Sequence, residues 1–363
     1  MQIGTGLSVF AQRRVVGGPR AAYQIRTMRQ LFTLSILTIA LAMTTSGCDN
    51  TSSSAVYMVV QSAAWLPNES GMIALAQKQT VSAVDNSVSL TRGLYSVGAD
   101  GSIGSVIGPG EVGEANWNSP VLFVSKDGGT AYAQIGAHIY RVNLGDNSAT
   151  QVIQNAALLG VSPDGRYAIS TNAAETDKAP DYIMYDVATS PVRLVRHFTP
   201  PNIYNSRCLW IDNGTFALTS TDSVGVYVTL WDTTCTILHT YPDADARFSA
   251  AAYSPTSHDL FVRTNTGGID RINMLTQVRA SVITQDTVES VGASADGTLL
   301  AYSSGRTTQQ LPLYSCNTQN GHTAVIGSDA VFPIISPNAD RVAFVHNASP
   351  NVDIKVNGIS LPQ

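Results

Sequence analysis

Charged side chains are scarce in this sequence, at 13% of residues, and aromatic ones make up only 7%. So little charge argues against an extended, self-repelling chain, and 44% hydrophobic content is enough for a sizeable core at 363 residues. No Lys/Arg-rich stripe occurs, which disfavours nucleic-acid binding. Cysteine is rare, four residues in all, and the absence of any CxxC pair disfavours a zinc–thiolate centre. HExxH is missing, and no two of His138, His197, His239, His258, His322 and His346 have helical ligand spacing. There is no DxDxDG calcium loop. No stretch after residue 48 carries apolar residues at helical spacing, so long helices are not expected.

Ser, Thr, Gly, Val and Ala dominate instead, a composition suited to many short strands joined by turns. The formal net charge of −5 hides a split. Residues 1–47 hold five arginines and no acid, so the remainder has 16 basic against 26 acidic residues, about −10.

The N-terminal region reads as an address. From Met28 the chain runs through Arg29 into the 13-residue apolar stretch Leu31 to Met43 and then small residues up to Gly47-Cys48. Thirteen residues fall short of the roughly 20 needed to span a bilayer as a helix, and the pattern fits a secretory signal peptide. Its end resembles a bacterial lipobox, with Thr45 in place of the usual Leu, which implies lipidation of Cys48. The polar run of residues 49–54 suits a flexible tether. Asp49 resembles an inner-membrane retention signal of enteric bacteria, a rule that varies between lineages, so the membrane side is left open. Residues 1–27 read as an upstream mis-start or an extended n-region. The expected organisation is thus a signal peptide over 1–47, lipidated Cys48 with its tether over 48–54, and one repeat body over 55–363.

That body repeats one turn. Ser162-Pro163-Asp164-Gly165 is the clearest copy, with relatives at Ser125, Ser294 and Ser336 and looser ones at Ser254, Ile211 and Leu66. Their spacings are 59, 37, 49, 43, 40 and 42 residues, around the length of a four-stranded unit. Pro presets φ, Asp hydrogen-bonds locally and Gly takes positive φ, so the turn joins two antiparallel strands. A third strand follows in each unit (GLYSVG, HIYRVN, YIMYDV, VTLWDT, GIDRIN, PLYSCN, VDIKVN), and a fourth in most. Seven such units predict an all-β, seven-bladed β-propeller of four-stranded antiparallel blades. The last unit lacks a fourth strand, so Ala55 to Val60 is expected to supply it and to clasp first blade to last. These turns, with the single Trp231-Asp232 dipeptide, resemble TolB-like and Trp-Asp-repeat propellers, and more faintly the lactonase-like ones. The resemblance implies the fold and leaves function open.

Catalytic signals are weak. The nearest approaches to GxSxG, at Ser162 and Ser294, belong to the repeated turn. Gly108 to Gly113 formally matches GxGxxG but leads to no helix, so it reads as an interblade loop. Beside Cys48, an odd three cysteines remain: Cys208 and Cys235 share a blade and form either a disulfide or two free, buried thiols, while Cys316 lies further on. Ligands would meet the loops that enter first strands or join second to third strands. The first set offers Glu114, Asn116, Trp117, Asn202, Tyr204, Asp243, Asp245, Arg247, Asp286 and Glu289; the second offers Glu175, Asp177, Lys178, Arg306 and His346. Together they make an acidic channel mouth that favours basic peptide segments or a channel-bound cation. No cofactor is called for. The leading expectation is a non-catalytic module docking envelope proteins or peptides. The alternatives are a metal-dependent propeller hydrolase or lactonase, with carboxylates converging on one cation, and a small-ligand sensor or carrier.

Overall fold

The chain divides into Met1–Asn50 and Thr51–Gln363. The computed structural model describes residues 54–85, 87–113, 121–172, 182–198, 203–221, 226–242, 249–264, 266–284, 287–305, 311–348 and 351–363. The signal peptide, Cys48 and the start of the tether lie outside the described residues.

Twenty-seven strands and no helix make up the described residues. Blade 1 comprises β1 (Ala55–Trp65), β2 (Gly71–Val81), β3 (Val88–Gly98) and β4 (Ile103–Gly113). Blade 2 follows with β5 (Leu122–Val124), β6 (Thr130–Ile135), β7 (His138–Asn143) and β8 (Ala149–Gln154). Blade 3 holds β9 (Ala156–Val161), β10 (Tyr167–Asn172), β11 (Tyr182–Asp186) and β12 (Arg193–Phe198). Blade 4 holds β13 (Ile203–Trp210), β14 (Thr215–Thr221), β15 (Val226–Asp232) and β16 (Ile237–Pro242). In blade 5 are β17 (Ser249–Ser254), β18 (Asp259–Arg263), β19 (Ile269–Asn273) and β20 (Arg279–Ile283). Blade 6 contains β21 (Val288–Ala293), β22 (Leu299–Ser304), β23 (Leu313–Asn317) and β24 (Thr323–Gly327). Blade 7 has three strands, β25 (Ala330–Ile335), β26 (Arg341–Ala348) and β27 (Asn351–Gly358). Within each blade the strands pair in chain order and antiparallel, as expected of a seven-bladed propeller.

The repeated turn shows why its residues recur. The Ser162 hydroxyl donates to Asp164 at 2.6 Å and accepts from the Tyr167 N–H at 2.8 Å, so one buried side chain holds both ends of the turn. Ser125 does the same with Asp127 and the Thr130 N–H, and Ser294 with Asp296 and the Leu299 N–H. These serine hydroxyls, above all, hold the Asp127 and Asp296 carboxyls below the ordinary range. Gly128, Gly165 and Gly297 occupy the left-handed position, at φ of 71°, 71° and 73°. In the copies at Leu66, Ser254 and Ser336, Glu69 (55°), His258 (55°) and Ala339 (60°) take that conformation without being glycine. The turns also hydrogen-bond around the ring: Lys126 N–H to Pro163 O, Asp164 N–H to Asn213 Oδ1, and Thr256 N–H to Ala295 O.

Period-two alternation sends each strand's apolar residues to both faces of its blade, and every face meets a neighbour. Seven buried clusters result, one per seam. In β2, for example, Met72, Ala74 and Ala76 pack toward blade 7 and Ile73 and Leu75 toward blade 2. The seam between blades 3 and 4 is aromatic, with Tyr182, Phe198, Trp210, Phe216 and Trp231 in one cluster. Trp231 Nε1 donates to Thr229 Oγ1 at 2.8 Å, and Asp232 caps the following turn through the N–H groups of Thr234 and Thr236.

Ring closure differs from expectation. Ala55 to Val60 does reach β27, but it pairs there in parallel and only at Val59–Val352. Its main partner is β2, in a register running from Ala55–Val81 to Trp65–Met72. The reason is directional. A fourth strand must run antiparallel to the third, and this segment passes into the first strand of blade 1 through a bulge at Val60/Ser62, with no reversal. Side chains close the seam instead. Trp65 Nε1 donates to Ile334 O at 3.1 Å, Arg341 lies 4.9 Å over the Trp65 ring, and Arg341 Nη2 meets Glu69 Oε2 at 2.8 Å. The Asn338 N–H also donates to Glu69. Gly101, at φ +91°, brings the β3–β4 turn against the Ile354 carbonyl, where a Cβ would sit 2.6 Å from the oxygen. Residues beyond β27 turn to blade 6, where Ile359 is buried and Asn317 Nδ2 donates to Pro362 O.

Gly108 to Gly113 belongs to β4 and is not an interblade loop. Pro109 has no N–H to offer, but the outermost strand needs none on its free side, and Gly108 and Gly110 take positive φ to bend the strand.

Replacing Gly165 by Ala should cost about 1–2 kcal/mol in urea unfolding, because only glycine is at ease at its φ. The reverse change, Ala339→Gly, should leave stability unchanged or raise it by up to about 1 kcal/mol. Equal losses in both variants would contradict this account of the turn. At the closing seam, burial pushes the Glu69 carboxyl up, but the Asn338 N–H and the Arg341 guanidinium outweigh it and hold the group below its ordinary value. A lowered folded pKa gives stability that is complete above the unfolded value of about 4.3 and fades as pH falls through the folded one. Arg341→Ala should therefore lower the urea-unfolding midpoint at pH 7, with the gap from wild type narrowing by pH 3.

Candidate functional site

The two ends of the ring are built differently. Connections between first and second strands are four or five residues long, and those between third and fourth strands four to six. At the other end, links between second and third strands or from one blade to the next range from Asn155 alone, between β8 and β9, to residues 173–181, between β10 and β11. The regular end is fixed by the serine turns; the irregular end holds the predicted channel mouth.

Of the eight principal residues expected there, Glu114, Asn116, Trp117, Asp243, Asp245, Arg247 and Asp286 lie outside the described residues. So do Asn202, Glu175, Asp177, Lys178, Arg306 and the side chain of Tyr204. Glu289 is described. It sits on β21, half-exposed, with Oε2 3.9 Å from Arg263 Nη1, while the same guanidinium donates to Val288 O at 3.1 Å. Arg263 thus ties blade 5 to the first strand of blade 6 and partly neutralises Glu289.

His346 belongs to β26 and faces Asp353 in register. Lys355 Nζ lies 3.1 Å from His346 Nε2, and His346 Nδ1 lies 3.1 Å from Asp353 Oδ1. A lysine ammonium can only donate, so Nε2 accepts and the Nδ1 proton points to Asp353. Sequence spacing alone had not joined these three residues; period-two pairing across a short 2–3 link is the signal that does.

Blade 1 adds groups that the sequence reading missed. Its strands are 11 residues long, against three to eight elsewhere, so their ends overhang the irregular face. On the side toward blade 7, Glu111 accepts from Tyr95 Oη at 2.9 Å, Lys78 Nζ at 3.1 Å and Thr91 Oγ1 at 3.1 Å. Burial pushes the Glu111 carboxyl up, but these donors outweigh it and hold the group below the ordinary range. Burial first, then the Glu111 carboxylate, raise the Tyr95 phenol. On the other side Gln61 Nε2 donates to Gln77 Oε1, and fully buried Arg92 stands opposite Gln77 in register.

Blade 5 carries an open recess of about 230 Å³, where Thr264, Thr266, Ser281 and Thr284 surround Asp270 and Arg279, whose Nε donates to Asp270 at 2.6 Å. These groups offer hydrogen bonds to a polar ligand, with no nucleophile–base pair among them. Among the described residues, no three His, Cys, Asp or Glu side chains gather as metal ligands.

Cys208, Cys235 and Cys316 are free. Cys208 lies on β13 and Cys235 in the β15–β16 turn, so β14 and β15 stand between them in lateral order. Two strand spacings amount to roughly 10 Å, beyond the 4.4–6.8 Å between Cα atoms that a disulfide tolerates. Cys316 lies within β23 and is fully buried, although its place in the repeat, equivalent to that of Cys235, predicts a turn.

With this geometry in hand, comparison with solved structures is direct. An oligogalacturonate lyase in complex with manganese superposes with a TM-score of 0.59 at 12% identity, over 84% of this chain and 91% of its own. The propeller domain of the Trilobed protease from Pyrococcus furiosus, described as having an open velcro topology, gives 0.58 at 9% identity, over 83% and 93%. The fold is that of a β-propeller. The Cps50 (Swd1) propeller domain from Myceliophteria thermophila agrees, at 0.55 and 11% identity, over 87% and 99%. At these identities the likeness extends to the fold alone. Neither a family model nor a curated protein sequence matches the chain.

Burial raises the thiols of Cys235 and Cys316 to about 11 and that of Cys208 well above its ordinary value. With Cys48 replaced by Ser, the folded protein should therefore show no fast-reacting thiol at pH 8 and three after denaturation, with or without prior reduction. A count that rises only after reduction would establish a disulfide.

Proposed function

We propose that this chain is an exported, lipid-anchored protein of a bacterial cell envelope whose propeller docks protein or peptide partners on its irregular face. The observation that carries the docking reading is the contrast between the two ends of the ring. Where repeats vary in connection length on one face only, that face is free of the packing constraint that fixes the other and is the one suited to binding. Wide strand-borne platforms also hold such loops rigidly enough to present a composite surface.

Partner chemistry follows from charge. The body is acidic, and the loop residues singled out above are mostly carboxylates and amides, which favours basic segments. Propellers of this shape also occur within larger assemblies, among them the mitotic checkpoint complex, which matches at a TM-score of 0.52 and 15% identity. Others, such as the oligogalacturonate lyase, are enzymes, so the fold by itself does not decide against catalysis. The anchoring reading rests on the apolar stretch ending in Gly47-Cys48.

Crosslinking in native membranes followed by affinity capture and mass spectrometry tests the proposal, with Cys48→Ser as the unanchored control. Reproducible envelope partners, weakened or lost in the control, are the expected outcome. Absence of partners from both samples would overturn the docking role and direct attention to metal analysis and to lactone and ester substrates.

A further inference from the structure

The overhang of blade 1 ends in an unusual tip. Register places Ala55, Val81 and Val88 abreast at its end, with the turn between Val81 and Val88 beyond them. Val84 in that turn is 86% exposed, the highest value for any large apolar side chain among the described residues, and Val56 and Val88 are 52% and 50% exposed. The turn is not a frayed end: Ser82 N–H donates to Ser87 O, and the Ser82 hydroxyl accepts from the Val84 N–H at 3.2 Å. Among the described residues of the turn stand hydroxyls and one carboxylate, Asp85, which its bonds to Ser82 and Ser87 hold at about 2. Apolar side chains at the apex, ringed by short polar groups, suit the headgroup boundary of a bilayer.

The chain itself indicates the occupant. Only six residues separate Cys48 from Ala55, a reach of about 25 Å at full stretch. A lipid on Cys48 would therefore hold this tip within that reach of the membrane. Tethering at such range raises local concentration to the order of millimolar, so a contact too weak to bind free protein is enough to orient anchored protein. Other exposed apolar residues lack this proximity. Leu275, 72% exposed, lies in the third-to-fourth strand turn of blade 5, at the opposite end of the ring.

We infer that the blade 1 tip, through Val56, Val84 and Val88, is a second membrane contact that seats the propeller with its irregular face toward the bilayer. This rests on the lipid-anchor reading above. Partners would then meet the irregular face within a narrow gap above the lipid, which favours membrane-proximal segments over freely diffusing proteins.

The test uses the full-length lipoprotein in phosphatidylcholine–phosphatidylglycerol vesicles, spin-labelled at Val84→Cys or, for comparison, at Leu275→Cys. Cys316 is buried, Cys208 and Cys235 are half-buried, and desolvation raises all three thiols, so new surface cysteines label selectively. Power saturation should show the label at 84 several-fold more accessible to oxygen relative to a water-soluble nickel chelate than the label at 275. Adding Val56→Asp and Val88→Asp should return position 84 to the aqueous ratio. Acylated Cys48, verified by mass spectrometry, with equal ratios at 84 and 275 would overturn the tip contact and leave the anchor standing. An unacylated Cys48 peptide from native membranes would remove the anchor and the contact with it.

Discussion

A four-stranded sheet with apolar residues on both faces has no stable existence in water, and this single constraint organises the molecule. Each blade must bury two faces, and each face needs a neighbour, so the arrangement terminates only when the last blade meets the first. The seven clusters are the physical record of that requirement. Strand pairing holds each blade together, but the seams decide that there is a ring.

The seam between blades 7 and 1 bears the most specific demands. Elsewhere neighbouring blades follow one another along the chain; here residues more than 260 positions apart must meet. Apolar packing alone would tolerate sliding, whereas Glu69, held at once by the Arg341 guanidinium and the Asn338 N–H, fixes one alignment. Trp65 adds a donor to Ile334 and a ring under Arg341. The looser turn copy at Leu66 departs from the repeat at the position where Glu69 has this second duty.

Legibility in the sequence followed physical necessity. Ser162, Asp164 and Gly165 were readable because a tight turn with a buried hydroxyl and positive φ admits few alternatives. Third strands such as HIYRVN coincide with β7, since alternation is enforced by burial on both faces. The error at Ala55 to Val60 arose because a count of strands per unit says nothing about direction. Gly108 to Gly113 misled for a related reason: glycine and proline usually break strands, and an outermost strand is where they need not. The irregular face was the least legible part. Its connections pack against nothing repeated, so neither spacing nor alternation marks which of their side chains converge.

The overhang of blade 1 also has a mechanical meaning. Everything ahead of Ala55 pulls on the protein through the end of β1, which lies between β2 along its length and β27 at Val59. Tension along that axis loads the whole antiparallel ladder from Ala55–Val81 to Trp65–Met72 in shear, so its rungs resist together. A pull across the strand would part them singly. The first strand of the ring is therefore placed to bear load along the whole of that ladder.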